Sequence, residues 1–523
     1  MSPRKARALL ASLLAIALAA LPAAAATLRW AAAGDISTMD PHANNEGFTN
    51  FYHDHIFEPL VTRGKDLKVE PALAVSWQQL SPTQTRFKLR PNVKFHEGEA
   101  FTADDVVFNV ERALMPTSAH KSALPNVRGA RKVDELTVDI LTSVPTPVLP
   151  LAISNLRLMS KAWSVKHKVE KPQDYKAREE SYAVRNADGT GPFRLVRWDN
   201  DVKTVLVAND KYYGKRGNVT EATYFVVGSA ATRAAALLSG EMDIVVDPAV
   251  QDIDRLRANP AVTVGETMGT GTQFLGFDHA RDKLAFGDAG GRNPFRDPRV
   301  RQAVWLAIDT NALQAKVMRG TGGTGRSIFS PAVDGYDKRF DEKPLYDPVR
   351  AKTLLKEAGY PDGFSVDLDG SAQQPADAIC QAIAGMLSRV GIRATYRPLP
   401  FNILLPKLTS GDTSLYVLGW TPATVEPEGV LVPLAHSRSG PGLGEYNFGH
   451  YSNPKVDALI DQGRVEFDPA KRASLFTEAM SLMDQDAAFV PLIHRHVTWA
   501  MRRNVKAVLR PNDIVDLRFV NIQ

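Results

Sequence analysis

Four dipeptides constrain the fold of this chain more than any other feature. Asp297-Pro298, Asp347-Pro348, Asn453-Pro454 and Asp468-Pro469 each set a capping side chain before a ring already held at helical φ. An amphipathic run follows each, such as Val300, Val304 and Ile308, or Ala351, Leu354, Leu355 and Ala358 closed by Gly359. A fifth start lies at Thr102, with Asp104 and Asp105 in the positive first turn and Val106, Val110 and Leu114 along one face. Between helices, alternation over 85–89 and 136–140 predicts strands. Residues 242–246 read as a buried strand after the helix ATRAAALLSG, which Gly240 caps. The fold class that follows is α/β with several lobes, without an internal repeat of fixed period.

The 523 residues suffice for several cores, and 63 basic against 58 acidic side chains give +5. Three of those charges, Arg4, Lys5 and Arg7, open a segment that reads as a secretory signal. An apolar run over 8–21, broken only by Ser12, leads to Pro22 and the A-x-A site at Ala24, Ala25 and Ala26. Cleavage after about Ala26 would leave +5 − 3 = +2, which excludes nucleic-acid binding by bulk charge. The run is shorter than the roughly 20 residues of a membrane span. Cys380 is the only cysteine, so neither an intramolecular disulfide nor a lipid on a Cys at the cleavage site is possible. These features fit a periplasmic protein. The basic stretch Arg502, Arg503, Lys506 and Arg510 reads as a solvated face.

Several motifs imitate chemistry. Residues 320–327, GTGGTGRS, match G-x-G-x-x-G and nearly match a phosphate loop. A helical run precedes them and Ser330-Pro331 follows, the reverse of the strand-to-helix context a phosphate cradle needs. Two H-x-H pairs, His53 with His55 and His494 with His496, are candidate metal ligands, but acidic or Cys partners are not near and Arg495, Arg502 and Arg503 flank the second. There is no G-x-S-x-G elbow and no H-E-x-x-H, and Cys380 sits in the apolar run AICQAIAGML, where a buried inert thiol is expected. No metal, cofactor or catalytic residue is assigned, and an enzyme is disfavoured. Two aromatic clusters, Phe48, Phe51 and Tyr52, and Tyr416 with Trp420, read as core or as pocket wall. Either cluster alone is more often core, and Asn44, Asn45, Glu46 and Thr421 beside the rings keep a pocket wall open as the alternative.

In family order, the stretches TMDPH, LRPNVKFHEGEAFTADDVVFNVERAL, GTGPFRLVRWD with LVANDKYYG, ATRAAALLSGEMDI, NPFRDPRVRQAVWLAID, YDPVRAKTLLKEAGYPDGF, GW with EP six residues on, and YSNPKVDALI resemble the dipeptide- and oligopeptide-binding solute-binding proteins of ABC importers, extracellular family 5. The resemblance implies a type II-like clamshell of two main lobes joined by a hinge, plus a third lobe inserted in the N-terminal part. It places lobe I at 27–65, 187–270 and 496–523, lobe II at 66–186 and lobe III at 271–495. Crossings near Gly269 to Gln273 and His494 to Thr498 form the hinge, with Gly269 and Gly271 suited to backbone change. The implied ligand-binding residues are Asn45, Glu46, Gly47, Phe48, Thr272, Gln273, Trp420 and Thr421, with Asp247 and Glu426 as further carboxylates. Peptide binders of the family carry an Asp three residues after the Trp, pairing with the ligand's amine, where this chain has Ala423. A buried ammonium without a carboxylate is costly, so the solute is a small organic or peptide-like molecule whose amine is absent or paired elsewhere. The implied partners are that solute and the permease subunits of an ABC transporter, with the protein a monomer. The alternatives are a periplasmic hydrolase of such a solute and a metal-complex or haem-binding variant of the family.

Overall fold

The computed structural model describes residues 26–523 except 125, 343–345, 423–424 and 441. Of the expected leader over 1–26, residues 1–25 therefore lie outside the described residues, as does Ala423, and Ala26 opens the first strand. Each Asx-Pro start opens a helix: Pro298–Ala307, Pro348–Glu357, Pro454–Val465 and Pro469–Gln485. The Asp297, Asp347, Asn453 and Asp468 side chains accept from the backbone N–H of Arg299, Arg350, Lys455 and Lys471. Thr102 and Asp105 form a reciprocal capping box on Ala103–Ala113, and Gly240 ends Ala230–Ser239 at φ 82°. The strands are Gln84–Leu89, Thr137–Thr142 and Ile244–Val246, the last shorter than the sequence suggested.

A mixed sheet of twelve strands runs through the molecule. Its middle is an antiparallel pair of long strands, Val262–Phe277 and Phe489–Arg502. On one side, Ile244–Val246 leads to Ala26–Ala32, which lies parallel to both Ile244–Val246 and Val219–Val226. On the other, Leu415–Trp420 pairs with the first long strand and leads to Phe364–Ser371. The ladder of the long pair breaks between Met268 and Thr272, where Gly269 and Gly271 lie. Neither glycine adopts positive φ. Close approach, not a left-handed backbone, requires them: a Cβ would stand 2.8 Å from the Arg495 carbonyl at Gly269 and 2.6 Å from Thr421 Oγ1 at Gly271.

The hydrophobic residues gather around separate centres. One surrounds Trp30, Tyr52, Tyr224 and Trp499, and two more flank the sheet's other half, around Phe277 and Phe295 and around Phe274 and Tyr416. A four-stranded antiparallel sheet carries its own core from Leu60 to Leu158, with Phe87, Val106 and Ile140 at its centre. Met159, Trp163 and Val184 pack with the Trp30 core instead, although the resemblance assigns them to lobe II.

Burying charge among these cores requires partners. Asp40 and Arg112 are both fully buried, joined by two 2.7 Å hydrogen bonds, and Arg112 also donates to the carbonyls of Val169 and Lys171. Burial pushes the Asp40 carboxyl up, but the Arg112 charge and hydrogen bonds outweigh it and hold the group at about 2. Arg510 departs from the expected solvated face. It is 3% exposed, paired with Asp516 at 3.0 Å and donating to the carbonyls of Arg63 and Gly64, because the C-terminal tail returns into the core. Arg503 and Lys506 are exposed as expected.

Replacing Arg112→Met strands a buried carboxylate and is expected to cost about 3–5 kcal/mol in urea unfolding; a loss below about 1 kcal/mol would rule out the pair as a structural tie. The folded Asp40 carboxyl titrates below its ordinary 3.8, so the stabilisation is full above pH 4 and fades as pH falls towards 2. Cys380 is fully buried, and burial pushes its thiol up to about 12. Ellman's reagent should therefore label it only on unfolding; rapid labelling of the native protein contradicts the inert reading.

Candidate functional site

Strands Ala26–Ala32 and Ile244–Val246 run parallel, and the chain leaves their carboxyl ends at Ala33-Gly34 and at Asp247. That end of a parallel pair is where α/β sheets hold ligands. The helix Gly47–His53 lies over it. Glu46 is its cap, with Oε1 accepting from Phe48 N and Oε2 from Thr49 N, both at 2.9 Å. Asn45 Oδ1 accepts from Asn50 Nδ2 beside it. Phe48, Phe51 and Tyr52, spaced i, i+3 and i+4, turn one face to the sheet. Tyr52 stacks on Trp30 with centroids 6.2 Å apart, and Tyr224 lies 5.4 Å from both Trp30 and Phe48. The tail segment 513–515 closes the other side of a cavity of about 240 Å³, with Asp247, Arg233 and His55 also on its wall.

Two carboxylates face this cavity from different parts of the chain. Asp247 N donates to the Thr498 carbonyl, and Asp513 Oδ1 accepts from Trp499 Nε1 at 2.7 Å, so successive residues of one long strand position both. Both hold left-handed backbone, φ 50° and 62°, which Asp tolerates better than most residues. Burial, with the Asp247 charge adding to it and the Trp499 N–H opposing, pushes the Asp513 carboxyl up to about 7. Burial likewise brings the His55 imidazole down to about 4, so it is neutral at physiological pH.

The remaining expected residues form a second group. Thr272 sits opposite Trp420, and Gln273 opposite Gly419. Trp420 Nε1 donates to the Gly429 carbonyl and its ring lies 4.8 Å from that of Tyr446. Thr421 is exposed and packs its hydroxyl toward Gly271. Gln273 Oε1 is buried with no hydrogen-bond partner among the described residues. The two groups adjoin through Thr270 N, which donates to the Pro511 carbonyl two residues before Asp513. Glu426 stands apart: Arg472, which also holds Glu428, pairs with it at 2.6 Å, so its charge is already spent. Trp30, Arg233 and Asp513 were missed by the sequence reading, for they join the cavity only through the sheet and the returning tail.

The imitative motifs take structural places. Gly323–Thr324 adds a short strand against His494 and Ile493, and a Cβ at Gly325 would stand 2.5 Å from Leu492 N, so the glycines serve backbone approach. His53 Nε2 bonds the Thr38 carbonyl while His55 packs on Trp30 and Phe193, so the first pair diverges. His494 Nδ1 bonds Thr272 Oγ1. Among the described residues no three His, Cys, Asp or Glu are grouped to hold a metal ion.

The family model described as bacterial extracellular solute-binding proteins, family 5 Middle, matches residues 68–442. The chain is 28% identical over 460 residues to Heme-binding protein A of Haemophilus influenzae, covering 82% of this chain and 79% of that protein. It is 27% identical over 517 residues to the dipeptide-binding protein of Escherichia coli, covering 92% of each. The periplasmic binding protein DppA of Helicobacter pylori, solved with the peptide STSA, shares the fold at TM-score 0.77 and 22% identity, covering 95% of this chain and 98% of that one. With the family match spanning most of its length and the expected multi-lobed α/β architecture in place, this chain belongs to the family 5 bacterial extracellular solute-binding proteins, which deliver substrates to ABC transporters.

Proposed function

We propose that this protein works in the periplasm as a monomer, captures a small organic or peptide-like solute between lobes I and III, and presents the closed form to permease subunits in the inner membrane. The observation that carries the reading is the aromatic cavity at the carboxyl ends of the parallel strands, beside the broken ladder of the long pair. Its volume, about 240 Å³, is slightly below the roughly 300–1,000 Å³ of drug-sized sites, which suits a small solute or one side group of a peptide. Trp30, Phe48 and Tyr52 supply apolar area on the cavity wall, and in this reading the second group around Thr272, Trp420 and Thr421 approaches it as the lobes close. The separate cores support the lobe assignment, with 159–184 moved from lobe II to lobe I. The reading takes the chain as a binder and not a hydrolase; the buried Cys380 thiol and the neutral, packed His53 and His55 rings suit that better than catalysis. A cleaved leader delivers it to the periplasm, in keeping with the lack, among the described residues, of any helix long and apolar enough to cross a membrane.

Protein purified from its own periplasm should carry the solute, visible intact by native mass spectrometry and recovered unchanged. Small-angle scattering should give a smaller radius of gyration with that solute than after its removal; identical profiles at verified saturation contradict closure. Phe48→Ala removes one apolar wall and should weaken binding roughly 10- to 100-fold by calorimetry, matching about 1.5–3 kcal/mol for a buried side chain.

A further inference from the structure

The acidic groups of the binding region are mostly committed. Glu46 caps a helix, Glu426 and Glu428 hold Arg472, and Asp516 holds Arg510 and Arg518. Asp247 and Asp513 are not. Asp247 makes no side-chain hydrogen bond among the described residues, and its countercharge is Arg233, whose guanidinium donates to the carbonyls of Val227, Gly228 and Asp247. Asp513 has one oxygen on the Trp499 indole. Two carboxylates thus lie on the wall of one cavity whose lining holds a single guanidinium, Arg233, beside Asp247; the other guanidinium near Asp513, Arg495, is exposed, so ionisation of Asp513 puts a second negative charge on the cavity wall.

A different kind of observation points the same way. His55 is 3% exposed, lines the cavity, and its Nδ1 has no hydrogen-bond partner among the described residues. With its proton on Nε2, this neutral ring offers Nδ1 as an acceptor for an N–H. Arg233 is 4% exposed and its Nε–H is also unpartnered, which suits an acceptor oxygen close to that N–H. Of the remaining wall, Trp30, Phe48, Phe51 and Tyr52 are aromatic, and a cation gains from the faces of such rings.

We propose that this cavity binds an organic ammonium bearing an apolar or aromatic group, and that Asp513 and Asp247 are the residues that select the cation. The proposal rests on the solute-binding reading and specifies the chemistry of the same cavity. An anion would meet two carboxylates, and a neutral solute would leave Asp513 protonated with nothing to pair, whereas a cation gains a charged partner from each carboxylate. Because the Asp513 carboxyl titrates at about 7, the cation enters as that group ionises and its proton passes to solvent. The groups facing Asp513 are Asp247, the exposed Arg495 and the Trp499 N–H, and the cavity adds Arg233, Tyr52 and His55. His55 is neutral above pH 5, and burial keeps the Tyr52 phenol neutral, so neither supplies that proton.

The test uses solute-free, full-length mature protein and two matched pairs: 2-phenylethylamine against 2-phenylethanol, and the dipeptide Phe-Gly against N-acetyl-Phe-Gly. Calorimetry should show the ammonium member of at least one pair binding at least tenfold tighter than its neutral partner. The pair that shows it tells whether a free amine or a peptide amino terminus is the source. Between pH 5 and 6.5, where both amines are charged, affinity should rise about tenfold per pH unit, with close to one proton released in buffers of different ionisation enthalpy. Asp513→Asn should remove the pH dependence and the preference, and Asp247→Asn should reduce the preference while leaving a pH dependence. Equal affinity within both pairs, no binding of either ammonium, or a preference that ignores pH and survives Asp513→Asn overturns the assignment. The solute-binding reading is judged separately, by the native mass spectrum of the co-purified solute, and stands or falls independently of these probes.

Discussion

The pairing of Val262–Phe277 with Phe489–Arg502 is the constraint on which the rest of the molecule hangs. These strands belong to both halves of the large sheet, and every other strand in it is attached on one side or the other. Their ladder is continuous except between Met268 and Thr272 and at Gln273 and Phe274. Lost hydrogen bonds in the middle of a sheet are tolerated where something else is gained. Here the break lets Thr270 reach the tail at Pro511 and lets Gly271 approach Thr421, so the interrupted stretch links the segment before Asp513 to the group around Thr272 and Trp420. Thr498 and Trp499 on the same strand fix Asp247 and Asp513.

Buried charge forms a second layer of organisation. Asp40 with Arg112, and Asp516 with Arg510 and Arg518, each satisfy a desolvated guanidinium with a carboxylate and backbone carbonyls. Such pairs add little net stability but are expensive to half-remove, so they specify which segments meet. Arg510 ties the tail to the turn at Arg63 and Gly64, and Arg112 ties the helix Ala103–Ala113 to the loop holding Asp40 and His42. Against that background the cavity is the exception, for among the described residues neither Asp247 nor Asp513 on its wall is held by a guanidinium in an ion pair.

What was legible in the sequence is what local chemistry decides. An Asx-Pro dipeptide caps a helix whatever lies around it, and all four did so. Phe48, Phe51 and Tyr52 showed as a cluster because helical spacing alone brings them to one face. Partnerships set by the fold were not legible. Arg510 looked like one of a run of surface charges, and only the return of the tail buries it. Glu426 looked free because Arg472 lies 46 residues further on. Gly269 and Gly271 read as flexible points, whereas the neighbouring chain, invisible in a linear string, is what demands them. Asp513 offered no signal at all, since its partners Trp499 and Asp247 reach it through strand pairing.

The returning tail also sets when the site can exist. Trp30 lies near one end of the chain and Asp513, Ile514 and Val515 near the other, and the cavity needs all of them. A growing polypeptide emerges amino end first, so its earliest aromatic wall waits for nearly the whole chain before the opposite wall is made. Until position 515 has been made, the chain has only one wall of the cavity. The cavity is thus complete only when the segment 513–515 folds back beside the first strand.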